Sequence, residues 1–184
     1  VKRKREIISL GMDEIRPADF TGPHIPPSEL KRMLDAKEDI VVLDTRNDYE
    51  TRIGKFQGAV ELGIPSFRDF PEAIETLPEE YRSKTIVMYC TGGIRCEKAS
   101  AVMLNSGFSD VRQLDGGILA YLEECGGTHW EGDCFVFDQR VALDHDLQES
   151  EIEMCFRCRE PLSLEEQESE HYVIGEQCPY CVPL

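Results

Sequence analysis

Residues 85 to 106 constrain the fold of this chain more than any other stretch. An apolar run from Thr85 to Tyr89 reads as a buried strand, and it stops at Cys90. Thr91, Gly92 and Gly93 make a short loop. A helix is predicted from Ile94 to Ser106, closed by Gly107. Strand, loop and helix in that order form half of a parallel β–α–β unit, and the loop lies at the carboxyl end of its strand, where open α/β sheets build their sites. Backbone N–H groups at the start of the next helix point inward there and carry partial positive charge. A thiolate at Cys90 is stabilised by them, so its pKa is expected to fall and its reactivity at neutral pH to rise. The competing reading is a structural cysteine in a core strand. Gly92 and Gly93, which let backbone wrap a ligand, and Arg95, a fixed cation one turn away, favour the reactive role. Cys96 has two readings: a resolving thiol facing Cys90, or a packed first-turn residue.

The chain alternates around this unit. Ser28 is the expected cap of a helix through Leu30, Met33 and Leu34. Ile40 to Leu43 reads as a strand, Asp48 to Ile53 as a helical turn, and Gly58 to Leu62 as a short strand or loop. Phe67 to Leu77 has the pattern of an amphipathic helix. Val111 to Leu114 is a strand, and Ile118 to Glu124 a helix closed by Gly126-Gly127. Short apolar strands alternating with helices predict an α/β domain over residues 27–127, a doubly wound parallel sheet with helices on both faces. Gly11 to Pro27 reads as a linker, and Val1 to Leu10 as a strand with a basic lead, Lys2-Arg3-Lys4-Arg5. The chain begins at Val1 rather than Met, so residues 1–26 are expected to be the remnant of a preceding domain and its linker. Residues 128–184 form a C-terminal extension, with an extra strand expected within Trp130 to Val141.

The net charge is −16, and residues 142–184 carry 11 Asp/Glu against two Arg. Taken alone, that balance disperses a protein in solution and argues against a nucleic-acid face. No apolar run is long enough to span a bilayer, and no signal-peptide pattern opens the chain, so a cytoplasmic protein with no membrane partner is expected. Eight cysteines without a secretory signal argue against a disulfide framework. Four of them form Cys155-x-x-Cys158 and Cys178-x-x-Cys181. Two such knuckles predict a closed tetrahedral site, a small zinc-ribbon-like appendage in which four cysteines hold a structural Zn ion. Redox disulfides and an iron–sulfur cluster are the alternatives.

Asp44-Thr45-Arg46 follows the first domain strand. Asp44 is expected to accept N–H bonds from nearby loops, and Arg46 to pair with Glu50, mainly as a structural network that also shapes the site. Asp115 is the expected N-cap before Gly116-Gly117. Trp130, Phe135 and Phe137 are read as core rather than as a stacking platform for bases. His24, His129, His145 and His171 sit in polar or loop contexts, and none is assignable as a base.

The stretch from Pro27 to Gly127 resembles a rhodanese domain. Asp44-Thr45-Arg46, Tyr49-Glu50, Gly54, Gly58-Ala59, the Cys90 to Arg95 loop and Asp115-Gly116-Gly117 fall where that family has them. One departure is Gly54-Lys55-Phe56, where the family usually has Gly-His-Ile. The resemblance implies that the loop cysteine, Cys90, carries a persulfide. The runs Asp44 to Glu50, Cys90 to Lys98, Gly116 to Leu119 and Cys134 to Val141 are similar to one branch, the rhodanese-type tRNA uridine hydroxylases. That branch forms 5-hydroxyuridine at the wobble position in an oxygen-dependent reaction. It also carries an N-terminal ferredoxin-like domain, whose last strand Val1 to Leu10 would be. The resemblance implies tRNA as partner, helped by that preceding domain. Lys55, Arg68, Lys98 and the basic lead are a candidate patch for phosphate contacts. The chain shows no flavin, haem or nicotinamide signature and no iron triad.

Three other functions compete. A sulfurtransferase would take sulfur from thiosulfate or a protein persulfide donor onto Cys90. A cysteine phosphatase ranks low: it needs five residues between Cys and Arg, and Cys90 and Arg95 have four. A zinc-stabilised binding module would need no reactive Cys90.

Overall fold

A computed structural model describes residues 8–12 and 14–182. Most of the expected N-terminal strand, Val1 to Ile7, lies outside the described residues, and Ile8 to Leu10 form no strand. The elements are β1 His24–Ile25, α1 Pro27–Asp35, β2 Ile40–Asp44, α2 Asp48–Thr51, β3 Gly54–Phe56 and β4 Val60–Glu61, then α3 Phe70–Ala73, β5 Thr85–Tyr89, α4 Ile94–Asn105, β6 Asp110–Leu114 and α5 Gly117–Cys125. The extension holds β7 Trp130–Gly132, β8 Cys134–Phe135, β9 Ala142–Leu143, β10 Glu153–Met154, β11 Pro161–Leu162 and α6 Leu164–Gln167.

Five strands form one parallel sheet in the order β1-β6-β5-β2-β4. Alternation along the strands divides the core in two. Val41, Leu43, Ile86, Met88 and Val111 face one layer, which contains Phe67, Phe70, Ile74 and α4. Val42, Val87, Tyr89 and Leu114 face the other, which contains α1 and α5. The sheet is therefore covered on both faces, and its central strands are continuous apolar runs for that reason. Helix α4 buries Cys96, Ala99, Val102 and Met103, a stripe at helical spacing. It ends in a Schellman closure: Gly107, at φ +91°, donates its N–H to Leu104, and Phe108 donates to Met103.

The structure corrects several expectations. Helix α1 starts at Pro27, not after a Ser28 cap; proline at the first position is pre-set for helix and lacks an N–H that would have gone unpaired. The run from Phe67 to Leu77 is not one helix but 3-10 turn, α3, 3-10 turn, because Pro71 cannot donate to the Phe67 carbonyl. The stretch read as linker contributes β1, and Gln113 donates to the Gly22 carbonyl at 2.7 Å. Gly116, not Asp115, occupies the N-cap of α5, because the chain needs φ +66° there. The extra strand within Trp130 to Val141 is two: β7 pairs with β3 and β8 with β9, all antiparallel. Trp130 and Phe135 are buried, but Phe137 is 68% exposed and is not core.

Among the described residues no helix is long and apolar enough to cross a membrane.

Candidate active site

Cys90 follows β5 directly, at the carboxyl end of the central strand. Gly93 takes φ +85° to turn the chain into α4. The loop is held from the opposite side by the start of α5. Ile118 donates its N–H to the Cys90 carbonyl at 3.0 Å, and Leu119 donates to Thr91 at 3.1 Å. This approach requires Gly117: a Cβ there would lie 2.4 Å from the Cys90 carbonyl oxygen and 2.7 Å from the Gly93 nitrogen. With its carbonyls turned toward α5, the loop leaves N–H groups for the sulfur. The Thr91 hydroxyl donates to the Phe135 carbonyl at 3.3 Å and fastens the loop to β8.

The Cys90 thiol is held well below the ordinary thiol range. The main cause is a hydrogen bond from the Cys96 thiol, aided by the Arg95 charge and the Arg95 and Cys96 N–H groups, against the opposing effect of burial. Cys96 goes the other way, raised by burial and then by the neighbouring Cys90 sulfur. It also lies 3.7 Å from the Thr45 hydroxyl. The two thiols are shifted in opposite directions, Cys90 down and Cys96 up. Burial raises Cys125, and pushes Cys134 up to about 12. Among the four cysteines outside the C-x-x-C pairs, only Cys90 is shifted toward reactivity.

Arg95 meets Glu50 through two hydrogen bonds, Nη1 to Oε2 at 2.5 Å and Nη2 to Oε1 at 2.6 Å. Glu50 also accepts the Asn47 N–H at 3.1 Å. The expected Arg46–Glu50 ion pair is therefore not formed. Arg46 instead pairs with Asp44 at 2.6 Å and donates to the Gly54 carbonyl at 2.6 Å. Its guanidinium lies over the Tyr89 and Trp130 rings, 5.6 and 5.5 Å from their centroids. Both Asp44 and Arg46 are fully buried. They brace the strand ends beneath the site.

Above Cys90 is a cavity of about 580 Å³, lined by Cys90, Thr91, Gly92, Ile94 and Arg95 from the loop and by Tyr49, Arg68 and Phe137 from elsewhere. Sequence reasoning gave Arg95 no partner and left Tyr49 and Phe137 out of the site. Of the candidate phosphate patch, Lys55 is paired with Glu61 and Lys98 donates to the Ile8 carbonyl at 2.9 Å, which leaves Arg68 exposed at the cavity.

The four remaining cysteines converge. Cys155, Cys158, Cys178 and Cys181 have their sulfurs within 4.8 Å of one another, with separations of 3.9, 3.4 and 3.7 Å among the hydrogen-bonded pairs. Four thiolates around one tetrahedral ion at about 2.3 Å would stand about 3.8 Å apart, so the cluster fits a metal ion. His171 is not part of it. Arg52, at the end of α2, ties this unit to the domain: it pairs with Glu160 at 3.0 Å, donates to the Pro161 carbonyl at 3.2 Å and lies 4.2 Å from the Tyr180 ring centroid.

The chain is similar to known proteins both in sequence and in fold. The chain is 49% identical to a tRNA uridine(34) hydroxylase from Cupriavidus necator over 187 aligned residues, covering 99% of this chain and 66% of that protein. A protein of the same name from Ralstonia nicotianae is 47% identical over 186 residues, covering 98% and 66%. The chain thus spans 66% of the length of these curated relatives. The solution structure of a rhodanese-like domain from Anabaena sp. superposes with a TM-score of 0.50 at 26% identity, covering 61% of this chain and 80% of that one. The profile of the rhodanese-like domain matches residues 26–124, a span that holds the whole parallel sheet except β1, together with the Cys90 loop and both arginines. On that match and that fold, the chain belongs to the rhodanese-like family.

Proposed function

We propose that this protein hydroxylates the wobble uridine of tRNA to 5-hydroxyuridine in an oxygen-dependent reaction, with Cys90 essential. The observation that carries the reading is 48–49% identity over 99% of the chain to relatives named tRNA uridine(34) hydroxylase. The geometry supports it with Cys90 lining a cavity of about 580 Å³, within the usual range for a small-ligand site. In this reading Cys90 is the reacting group. The N–H groups of Arg95 and Cys96 and the Arg95 guanidinium hold negative charge on its sulfur. Thr91, Gly92, Gly93 and Ile94 shape the loop, Cys96 keeps Cys90 ionised, and Asp44 and Arg46 support the frame. Arg68 and the basic lead contribute phosphate contacts, together with a preceding domain. The setting is the cytoplasm, where tRNA is modified.

The test is the wobble nucleoside of tRNA from cells that carry Cys90→Ala in the full-length protein. Loss of 5-hydroxyuridine is expected; an unchanged level would overturn the reading.

A second reading, sulfurtransfer, is favoured by the small socket, with four residues between Cys90 and Arg95. The Cys90 thiolate would attack the outer sulfur of thiosulfate. The S–S bond breaks, sulfite leaves, and Cys90 retains a persulfide. Intact-mass measurement after thiosulfate treatment decides it, since a persulfide adds one sulfur to wild type and none to Cys90→Ala.

For the metal, we propose structural zinc. Four thiolates fill a tetrahedral shell and leave no open position, so the ion serves folding rather than chemistry.

A further inference from the structure

Phe137 has a second neighbourhood. It lines the Cys90 cavity on one side and, on the other, a groove of about 790 Å³ between the β8–β9 hairpin and the four-cysteine unit. That groove is walled by Phe137, Phe156, Ile174 and Met154, with Arg140 and Arg159 at its edge. Phe137 and Phe156 are each 68% exposed, and Ile174 75%. Large apolar side chains this exposed, grouped on one concave surface, mark a binding site. The Arg95 guanidinium lies 5.6 Å from the Phe137 ring centroid, so the wall shared by the two cavities is itself anchored to the Cys90 loop.

The chemistry of the groove selects its occupant. Asp138, Glu149 and Glu153 also line it, so it is no electrostatic trough for a phosphate backbone. Asp138 is held by Arg140 at 2.6 Å, and Glu153 accepts from the Tyr172 hydroxyl at 2.8 Å. Arg159 makes no ion pair among the described residues and is the cation open to a phosphate, although two Arg against three carboxylates leave the lining net negative. Aromatic and apolar faces with a single available cation suit an unpaired base, which binds by stacking. Continuity with the Cys90 cavity through Phe137 puts such a base next to whatever lies over the sulfur.

We propose that this groove seats a nucleotide adjacent to the wobble uridine, its base stacked on the ledge formed by Phe137 and Phe156. The proposal rests on the tRNA reading above and gives it an anticodon-loop subsite. In this chain, of net charge −16, base stacking in the groove would add to the phosphate contacts made elsewhere.

The test uses the full-length protein and an anticodon stem-loop RNA. Phe156→Ala is expected to weaken stem-loop binding, and to raise KM for tRNA, by about tenfold, with kcat at saturating tRNA unchanged. Phe156→Trp retains wild-type binding. An abasic nucleotide beside the wobble position, on one of its two sides, reproduces the loss in wild type and adds little to it in Phe156→Ala. Wild-type affinity in Phe156→Ala overturns the proposal. So does absence of stem-loop binding by wild type, or a self-association that Phe156→Ala abolishes, which would make the groove an interface between copies. If wobble 5-hydroxyuridine depends on Cys90 while Phe156→Ala is indifferent, the subsite alone fails. If binding depends on Phe156 while no 5-hydroxyuridine forms, the hydroxylase reading alone fails.

Discussion

Glu50 and Arg95, 45 residues apart, meet through two hydrogen bonds of 2.5 and 2.6 Å, with Glu50 fully buried. The pair fixes the cation whose charge helps to lower the Cys90 thiol. A buried charge that loses its partner is costly, whereas a pair replaced as a unit costs far less. Glu50→Ala is therefore expected to lower unfolding free energy by about 3–5 kcal/mol. The double variant Glu50→Leu/Arg95→Met is expected to lose less than Glu50→Ala alone. Denaturant titration of both variants checks this, and a double variant worse than the single would refute it.

Cys90 is expected to alkylate at neutral pH, with a rate that rises through a pKa below the ordinary thiol value of about 8.5. Since the Cys96 hydrogen bond is the largest cause of the depression, Cys96→Ala moves that pKa upward and slows alkylation at pH 7. The linkage has a definite sign. Folded Cys90 holds its proton less tightly than unfolded Cys90, so its contribution to stability is present above the unfolded pKa and is lost as pH falls through the folded one. Iodoacetamide kinetics against pH, in wild type and Cys96→Ala, measure the shift. Superimposed profiles would exclude this role for Cys96.

Gly117 is constrained twice, by φ +65° and by the 2.4 Å approach of a Cβ to the Cys90 carbonyl oxygen. Gly117→Ala is expected to cost at least about 1–3 kcal/mol and to turn the loop N–H groups away from the sulfur. Gly92→Ala meets no atom within 4 Å and serves as the control. Thermal unfolding and Cys90 alkylation should both change in the first variant; stability should hold in the second.

The four-cysteine unit is expected to hold one metal ion per chain, lost in Cys155→Ser. Elemental analysis gives the stoichiometry. Amide exchange should then show loss of protection in β10 and β11, with the central strands β2, β5 and β6 still protected. A metal content unchanged by Cys155→Ser would remove the cluster from the reading.

What was legible in the sequence was local. The step from β5 through Cys90 into α4 is written in consecutive residues, and so is the alternation that gives a doubly wound sheet. The cluster of Cys155, Cys158, Cys178 and Cys181 was legible because two knuckles name their own ligands. The Arg46 partner was not. Both Asp44 and Glu50 are within reach in sequence, and Glu50 is taken by Arg95, which arrives from the first turn of α4, after the neighbouring strand β5. Strand β1 was hidden because two residues among prolines and glycines have no pattern, and only pairing with β6 makes them a strand. Phe137 looked like core because Cys134 to Phe137 is an unbroken apolar run. The ladder stops at Phe135, and Val136 closes a turn to Val141 at 2.8 Å, which lifts Phe137 out of the core.

Arg52 gives the four-cysteine unit a mechanical address. It caps α2, the four-residue helix that carries Glu50, and its other end is held by Glu160, Pro161 and Tyr180. Arg52 lies two residues from Glu50, the counter-ion of Arg95, and its guanidinium lies on Tyr180, inside the second cysteine knuckle. Loss of the proposed metal would free the guanidinium end of Arg52, two residues along the chain from the partner of Arg95.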